Sequence, residues 1–189
     1  MTGRSSVRRI LASEWRDVRA LRIEAVADPD AAIAFLESPA QVAAHSDEFW
    51  RERTRRAADS ADSAQFVAID QDADAPAWVG SLSVLIRKPG IIDHLGHTVR
   101  TERADVVGVY VRPSHRGDGT IDRLFAAAAA WAHAEGARIL SLDVHADNLR
   151  AQGAYRRAGF APTGETFTGT IGPELVMTRL LPAEDRAQG

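Results

Sequence analysis

Residues 105–120 read DVVGVYVRPSHRGDGT, and the order of residue types in them decides the fold. Asp105 opens a nearly continuous apolar run, 105–111, of the kind found in a strand covered on both faces. Pro113 stops it. Beyond the polar and glycine-rich turn 114–120, Ile121, Leu124, Phe125, Ala128, Trp131 and Ala132 recur at helical spacing, and Gly136 marks the end of that helix. Residues 138–145 (RILSLDVH) are again strand-like. A strand, a helix and a strand in direct succession make the two strands parallel neighbours.

Upstream, Leu11, Trp15, Val18, Leu21, Ile23 and Val26 predict an amphipathic helix over 11–26, capped by Ser13 or the preceding turn. Pro29 and Pro39 bracket a short apolar piece, 31–36. Ser46, Asp47 and Glu48 then open a second, charged helix that carries Phe49 and Trp50 and runs to about Ala58. QFVAID (65–70) and WVGSLSVLI (78–86) are rich in strand formers, and the polar insert 71–76 joins them as a hairpin. Downstream, 148–158 forms a short helix closed by Gly159, and Phe160 leads to a last strand near 174–180. The expectation is one α/β domain over 1–182, followed by a flexible tail, 183–189.

The chain has 189 residues, 45% hydrophobic and 26% charged, enough for one packed core and short for two. A formal net charge of −3 exerts no general pull toward nucleic acid or an anionic membrane. The absence of cysteine excludes disulfides, thiolate zinc sites and a Cys nucleophile. Arg4, Arg8 and Arg9 in segment 1–10 are followed by Glu14, Trp15 and Arg16 instead of the apolar run of a signal peptide, and no stretch approaches the ~20 apolar residues of a membrane span. A cytoplasmic location is expected. His94 and His97 share a Pro/Gly loop without further clustered ligands, so no metal site is expected.

Between strand and helix, Arg116, Gly117, Asp118 and Gly119 place unpaired main-chain N–H groups and the positive end of a helix dipole around one point. That is a cradle for phosphate. The glycines allow close approach or positive φ, Arg116 adds a charged donor, and Asp118 is expected to turn to solvent. The Gly-Lys-Ser/Thr of a P-loop and the third glycine of a dinucleotide fingerprint are both missing, as is the Gly-x-Ser-x-Gly elbow of an α/β-hydrolase.

Together these segments resemble the GNAT superfamily of acetyl-CoA-dependent N-acetyltransferases. The family's Arg/Gln-x-x-Gly-x-Gly/Ala loop is matched by Arg116 and Gly119, with Ile121 standing where the family has a small residue. Its Asn-x-x-Ala-x-x-x-Tyr-x-x-x-Gly-Phe pattern is matched by Asn148, Ala151, Tyr155, Gly159 and Phe160. The resemblance implies a mixed, mostly antiparallel sheet splayed between strands 105–111 and 139–144, with helices on both faces and acetyl-CoA in the split. It further implies main-chain pairing of pantetheine by Val109, Tyr110 and Val111, and a pyrophosphate held by Arg116, Gly117, Asp118, Gly119, Thr120 and Ile121. Ile121 is compatible with that role only if it turns into the core. Asn148 would orient the coenzyme, with Arg156 or Arg157 reaching its phosphates. Tyr155, seven residues from Asn148 and so on the same helix face, becomes the acid for the departing thiolate. Asp105 becomes the base, with Glu102 or a water relay as alternatives.

The implied reaction is direct transfer of an acetyl group to a primary amine, with no covalent enzyme intermediate and no metal. A coenzyme-binding sensor that lacks turnover and a nucleotide-binding α/β protein of other chemistry are the alternatives. A small molecule or a protein supplies the amine, and the mild acidity of the chain leans toward cationic small molecules. Oligomeric state is not fixed by the sequence, a homodimer being the commonest soluble assembly.

Overall fold

The computed structural model describes residues 5–93 and 95–182. Residues 1–4, His94 and the expected tail 183–189 lie outside them. Among the described residues there are seven strands: β1 (Ser5–Arg9), β2 (Ser63–Asp70), β3 (Ala77–Arg87), β4 (Arg103–Val111), β5 (Ile139–His145), β6 (Ala161–Gly169) and β7 (Gly172–Leu180). Five α-helices accompany them: α1 (Trp15–Val26), α2 (Pro39–Ala44), α3 (Asp47–Asp59), α4 (Thr120–Ala134) and α5 (Leu149–Arg157). No helix among these residues is long and apolar enough to cross a membrane.

The strands make one sheet in the order β1-β2-β3-β4-β5-β7-β6, and every pairing is antiparallel except that of β4 with β5. That parallel ladder is short. It joins Arg103 to Ile139, Ala104 to Leu140 and Asp105 to Ser141, and then stops. On their outer edges β4 stays paired with β3 as far as Val111, and β5 with β7 as far as His145. The inner edges therefore diverge from Asp105 onward, and the sheet opens as a V where the sequence resemblance places the split.

Two apolar clusters flank the sheet. Leu124, Phe125, Ala128 and Ala132 of α4, with Tyr155 of α5 and Phe160, pack on Leu82, Val84, Val106 and Leu140. On the opposite face Trp15, Val18 and Leu21 of α1 and Trp50 of α3 pack on Val67, Ile69 and Tyr110. Alternation along β2, with Phe66 and Ala68 on one face and Val67 and Ile69 on the other, explains why that strand is buried nearly throughout.

The expected helix over 11–26 is divided in the structure, with a 3-10 turn, Ala12–Glu14, leading into α1. Leu11 N–H donates to Glu14, so Glu14 and not Ser13 organises the start. The second helix begins at its expected cap, Ser46, whose Oγ accepts from Phe49 N–H at 3.2 Å. The single last strand expected near 174–180 is one arm of a hairpin whose other arm is β6. Strand β1 and helix α2 add to the elements the sequence suggested.

Candidate active site at the split in the sheet

The V between β4 and β5 is one wall of a cleft of about 920 Å³. Its floor is β4 from Asp105 to Val111 and β5 from Ser141 to His145; its rim is built by the loop before α4, by α5, by segment 28–37 and by the β6–β7 turn. Within β4 the register against β3 shifts between Ser81 and Ser83, and Gly108 takes φ +63°. This bulge turns Val107 and Gly108 out of the core, with Val107 41% exposed. Because the β5 ladder has ended, main-chain groups on the inner edge of Val109, Tyr110 and Val111 have no strand opposite them. The Tyr110 side chain points the other way. Its hydroxyl donates to Glu24 at 3.1 Å, and burial followed by this carboxylate pushes its pKa up to about 12.

The turn before α4 contains two glycines in left-handed conformation, Gly117 at φ +86° and Gly119 at φ +84°. Their effect is to present N–H groups to the cleft. No acceptor among the described residues takes the amides of Gly117, Asp118, Gly119, Ile121 or Asp122. Two neighbouring amides are used internally: Arg116 N–H donates to Pro113 O at 3.3 Å and Thr120 N–H to Asp118 Oδ1 at 2.8 Å. Asp118 thus closes a tight turn onto Thr120 N–H just before α4; it does not point to solvent as its charge suggested, nor does it line the cleft. Thr120, expected in the cradle, is fully buried with its hydroxyl against Ser5 and Arg123, and it does not line the cleft. Ile121 packs against the core cluster, as its place in the turn demands, and also lines the cleft.

Arg116 sits at the rim, but its guanidinium is committed to Asp28 at 2.6 Å and to Val111 O at 2.9 Å. Burial works against the Asp28 carboxylate, and hydrogen bonds from Asp30 N–H and Arg116 more than offset it, so its pKa lies below the usual range. A second tie runs from Arg150 to Asp30 and a third from Asn148 Nδ2 to Ile33 O at 3.5 Å. Segment 28–37 is therefore fastened to both arms of the V. Asn148 is also the cap of α5, its Oδ1 accepting from Ala151 N–H at 3.1 Å. Arg156 turns to Gln152, away from the cleft, whereas Arg157 lines the cleft with no hydrogen bond or ion pair to any described residue.

Tyr155 lies on the cleft wall, 8% exposed, its ring edge-on to Phe125 at 5.6 Å and tilted on Phe160 at 6.3 Å. Its hydroxyl has no hydrogen-bond partner among the described residues, and burial pushes its pKa up to about 12. A protonated phenol thus faces the cleft with its donor unused. Asp105 stands at the apex of the V, with one oxygen accepting from Arg87 Nε at 2.8 Å and the other from Arg103 Nε at 3.0 Å. Glu102 does not reach the cleft; it pairs with Lys88 beside Gly136, at the other end of α4.

Sequence reasoning named no lining residue on the wall formed by α1 and α3. Arg22, Phe35, Glu37 and Arg53 line the cleft from segments with no shared motif, brought there only by the packing of two helices on the sheet.

The model of the acetyltransferase (GNAT) family matches residues 17–160. A curated Bacillus subtilis protein described as a putative [ribosomal protein bS18]-alanine N-acetyltransferase is 30% identical over 82 residues, 43% of this chain and 54% of that protein. The match thus spans about half the length of that relative. Among solved structures, a Streptococcus pneumoniae acetyltransferase of the GNAT family superposes with a TM-score of 0.73 at 16% identity, over 95% of this chain and 100% of that one. A Sinorhizobium meliloti phosphinothricin acetyltransferase in complex with acetyl-CoA gives 0.68 at 18% identity, over 98% and 95%. Spermidine N-acetyltransferase from Vibrio cholerae, with CoA and spermine, gives 0.66 at 16%, over 94% and 95%. At these identities the structures establish a shared fold, and the family model, spanning most of the sequence, establishes kinship: the chain belongs to the GNAT acetyltransferase family.

Proposed function

We propose that this chain is an N-acetyltransferase that moves the acetyl group of acetyl-CoA directly to a primary amine. The observation that carries this reading is the meeting, in one cleft, of four unpaired amides at a helix N-terminus, those of Gly117, Gly119, Ile121 and Asp122, with an unpaired, protonated tyrosine. Acetyl-CoA supplies a thioester-activated acetyl group and a diphosphate. The amides of Gly117, Gly119, Ile121 and Asp122 hold the diphosphate by their own hydrogens and the dipole of α4, assisted by the free guanidinium of Arg157. With Arg116 occupied by Asp28, the backbone is the main anion donor. Asn148 fixes the start of α5 and joins it to Ile33, holding Tyr155 at its place on the wall.

The open inner edge of β4 around the Gly108 bulge receives pantetheine through Val109, Tyr110 and Val111 and presents a main-chain donor to the carbonyl oxygen as negative charge develops there. Tyr155 donates its proton to the leaving sulfur; a phenol with a pKa near 12 stays protonated at neutral pH and is ready for this. Asp105 accepts the amine's proton through water, since each of its oxygens keeps a lone pair beyond the one taken by an arginine.

The test is calorimetric titration with acetyl-CoA together with thiol release over a broad amine panel. Micromolar binding and acceptor-dependent thiol release support the reading. Binding without release from any amine leaves a coenzyme sensor, and absence of binding removes the proposed site altogether.

A further inference from the structure

Helix α3 carries four arginines, and three of them are paired: Arg51 with Asp47, Arg55 with Glu52 and Arg56 with Asp62. Arg53 has no hydrogen bond or ion pair to any described residue, and it lines the cleft. It also lines a small internal pocket, about 20 Å³, behind the bulge, shared with Arg22, Gln65, Ser81, Ser83 and Gly108. That space has room for about one water. Arg53 is exposed to solvent where it lines the cleft, with the like charge of Arg22 and the opposite charge of Glu37 both acting on it.

Among the described residues no carboxylate is ion-paired with Arg53. Glu37, the acid of this wall, already accepts from Arg22 Nη2 at 3.0 Å and from His45 at 2.7 Å. Arg22 is itself stacked on Phe35, and its Nη1 stands 3.8 Å from the position a Cβ on Gly108 would take. Its Nε is buried without a partner, as is Oε1 of Gln65 in the pocket behind. Two guanidinium groups and one carboxylate therefore leave this end of the cleft with a positive excess, next to the bulge where the amine must arrive.

We infer that Arg53, backed by Arg22, is an oxyanion subsite for the acceptor, and that the acceptor is a small zwitterion, an amino acid or close relative with a free carboxylate beside its amine. The inference deepens the acetyl-transfer reading and rests on it. Arg53 takes the carboxylate in a two-pronged hydrogen bond, and this holds the amine toward Gly108. A polyamine meets like charge at the same place, so the local geometry opposes the lean toward cationic acceptors that net charge suggested.

The experiment compares L-amino acids with their amides and decarboxylated amines, together with spermidine and a peptide beginning with alanine, by thiol release. The expected result is a kcat/KM for the preferred amino acid on the order of 10- to 100-fold above its amide. Arg53→Gln should abolish that ratio by raising KM for the amino acid, with acetyl-CoA affinity and turnover of the amide unchanged, and Arg53→Lys should restore part of it. Equal or better use of the amide, spermidine or peptide overturns the subsite, as does a loss in Arg53→Gln shared equally by all acceptors. If no amine releases thiol, acetyl-CoA calorimetry judges the acetyl-transfer reading, and titration of the amino acids into CoA-loaded protein judges the subsite separately. Heat from an amino acid but not its amide supports Arg53; no heat from any of them overturns it.

Discussion

Replacing Tyr155 by phenylalanine separates chemistry from architecture. The hydroxyl it removes bonds to no described residue, while the ring contacts with Phe125 and Phe160 survive. The fold then loses no hydrogen bond, and its stability should change by no more than about 0.5 kcal/mol, a melting shift of ~2 °C or less. Loss of a positioned acid costs on the order of 10²- to 10⁴-fold in rate, or about 3 to 5 kcal/mol of barrier. Tyr155→Ala is the contrast, since opening a cavity against Phe125 costs ~3 to 5 kcal/mol of stability as well. The phenol is also a term in alkaline stability. Its folded pKa of about 12 lies above the ordinary value of 10.0, so its contribution is complete below pH 10 and disappears as pH rises toward 12. A shift of this size corresponds to roughly 3 kcal/mol at most, and the phenylalanine variant should unfold less steeply over that interval. Single-turnover thiol release and melting curves at pH 7 and above pH 10 make the measurement. A variant that keeps full activity, or one that melts many degrees lower at pH 7, refutes the assignment of Tyr155 as an unencumbered acid.

Other perturbations address the remaining parts of the cleft. Gly119→Ala places a Cβ at φ +84° and 3.1 Å from Arg123 Nη1, whose flexible end can yield; a stability loss of ~1 to 2 kcal/mol and an acetyl-CoA affinity lower by about tenfold are expected from melting and calorimetry. Asp105→Asn should leave acetyl-CoA affinity intact and slow acetylation by roughly 10- to 100-fold, measured by calorimetry and thiol release. Asp28, Glu24 and Glu37 all have carboxyl pKa values held below the usual range, Asp28 and Glu37 against their own burial and Glu24 chiefly through Arg112. Their stabilisation is complete above the ordinary carboxylate pKa and is lost as pH falls through the lowered values, so melting temperature should drop steeply below about pH 4. Asp28→Asn should flatten part of that drop.

What the sequence discloses and what it hides follow from the range of the interactions involved. The glycine turn before α4, the short helix that starts at Asn148 and the β2–β3 hairpin are fixed by residues within a few positions of one another, and these features stand in the structure where the sequence puts them. β1 and β6 are edge strands. SSVRR has no apolar alternation and APTGETFTG carries Pro162 and Gly164, so both depend on a neighbour's ladder and neither announces itself. α2 buries one residue, Val42, too little for a periodic signal. Asp118 misleads for another reason: a charged residue in a turn reads as solvated, yet its carboxylate accepts from Thr120 N–H.

The same distinction divides the cleft. The part at the N-terminus of α4 is made of main-chain N–H groups in contiguous turns, so any sequence that builds the turns builds it. The opposite wall is made of side chains from α1, α3 and the segment between them, and its character is set by which charges cancel. Asp28 is cancelled by Arg116, Asp30 by Arg150, Asp105 by Arg87 and Arg103, and Glu37 by Arg22 with His45. A net charge of −3 over the chain therefore says little about what an acceptor meets there. Arg53, a cation on that wall without an ion pair among the described residues, says more: on the proposed reading, exchanging it should alter the choice of amine partner and leave acetyl-CoA affinity as before.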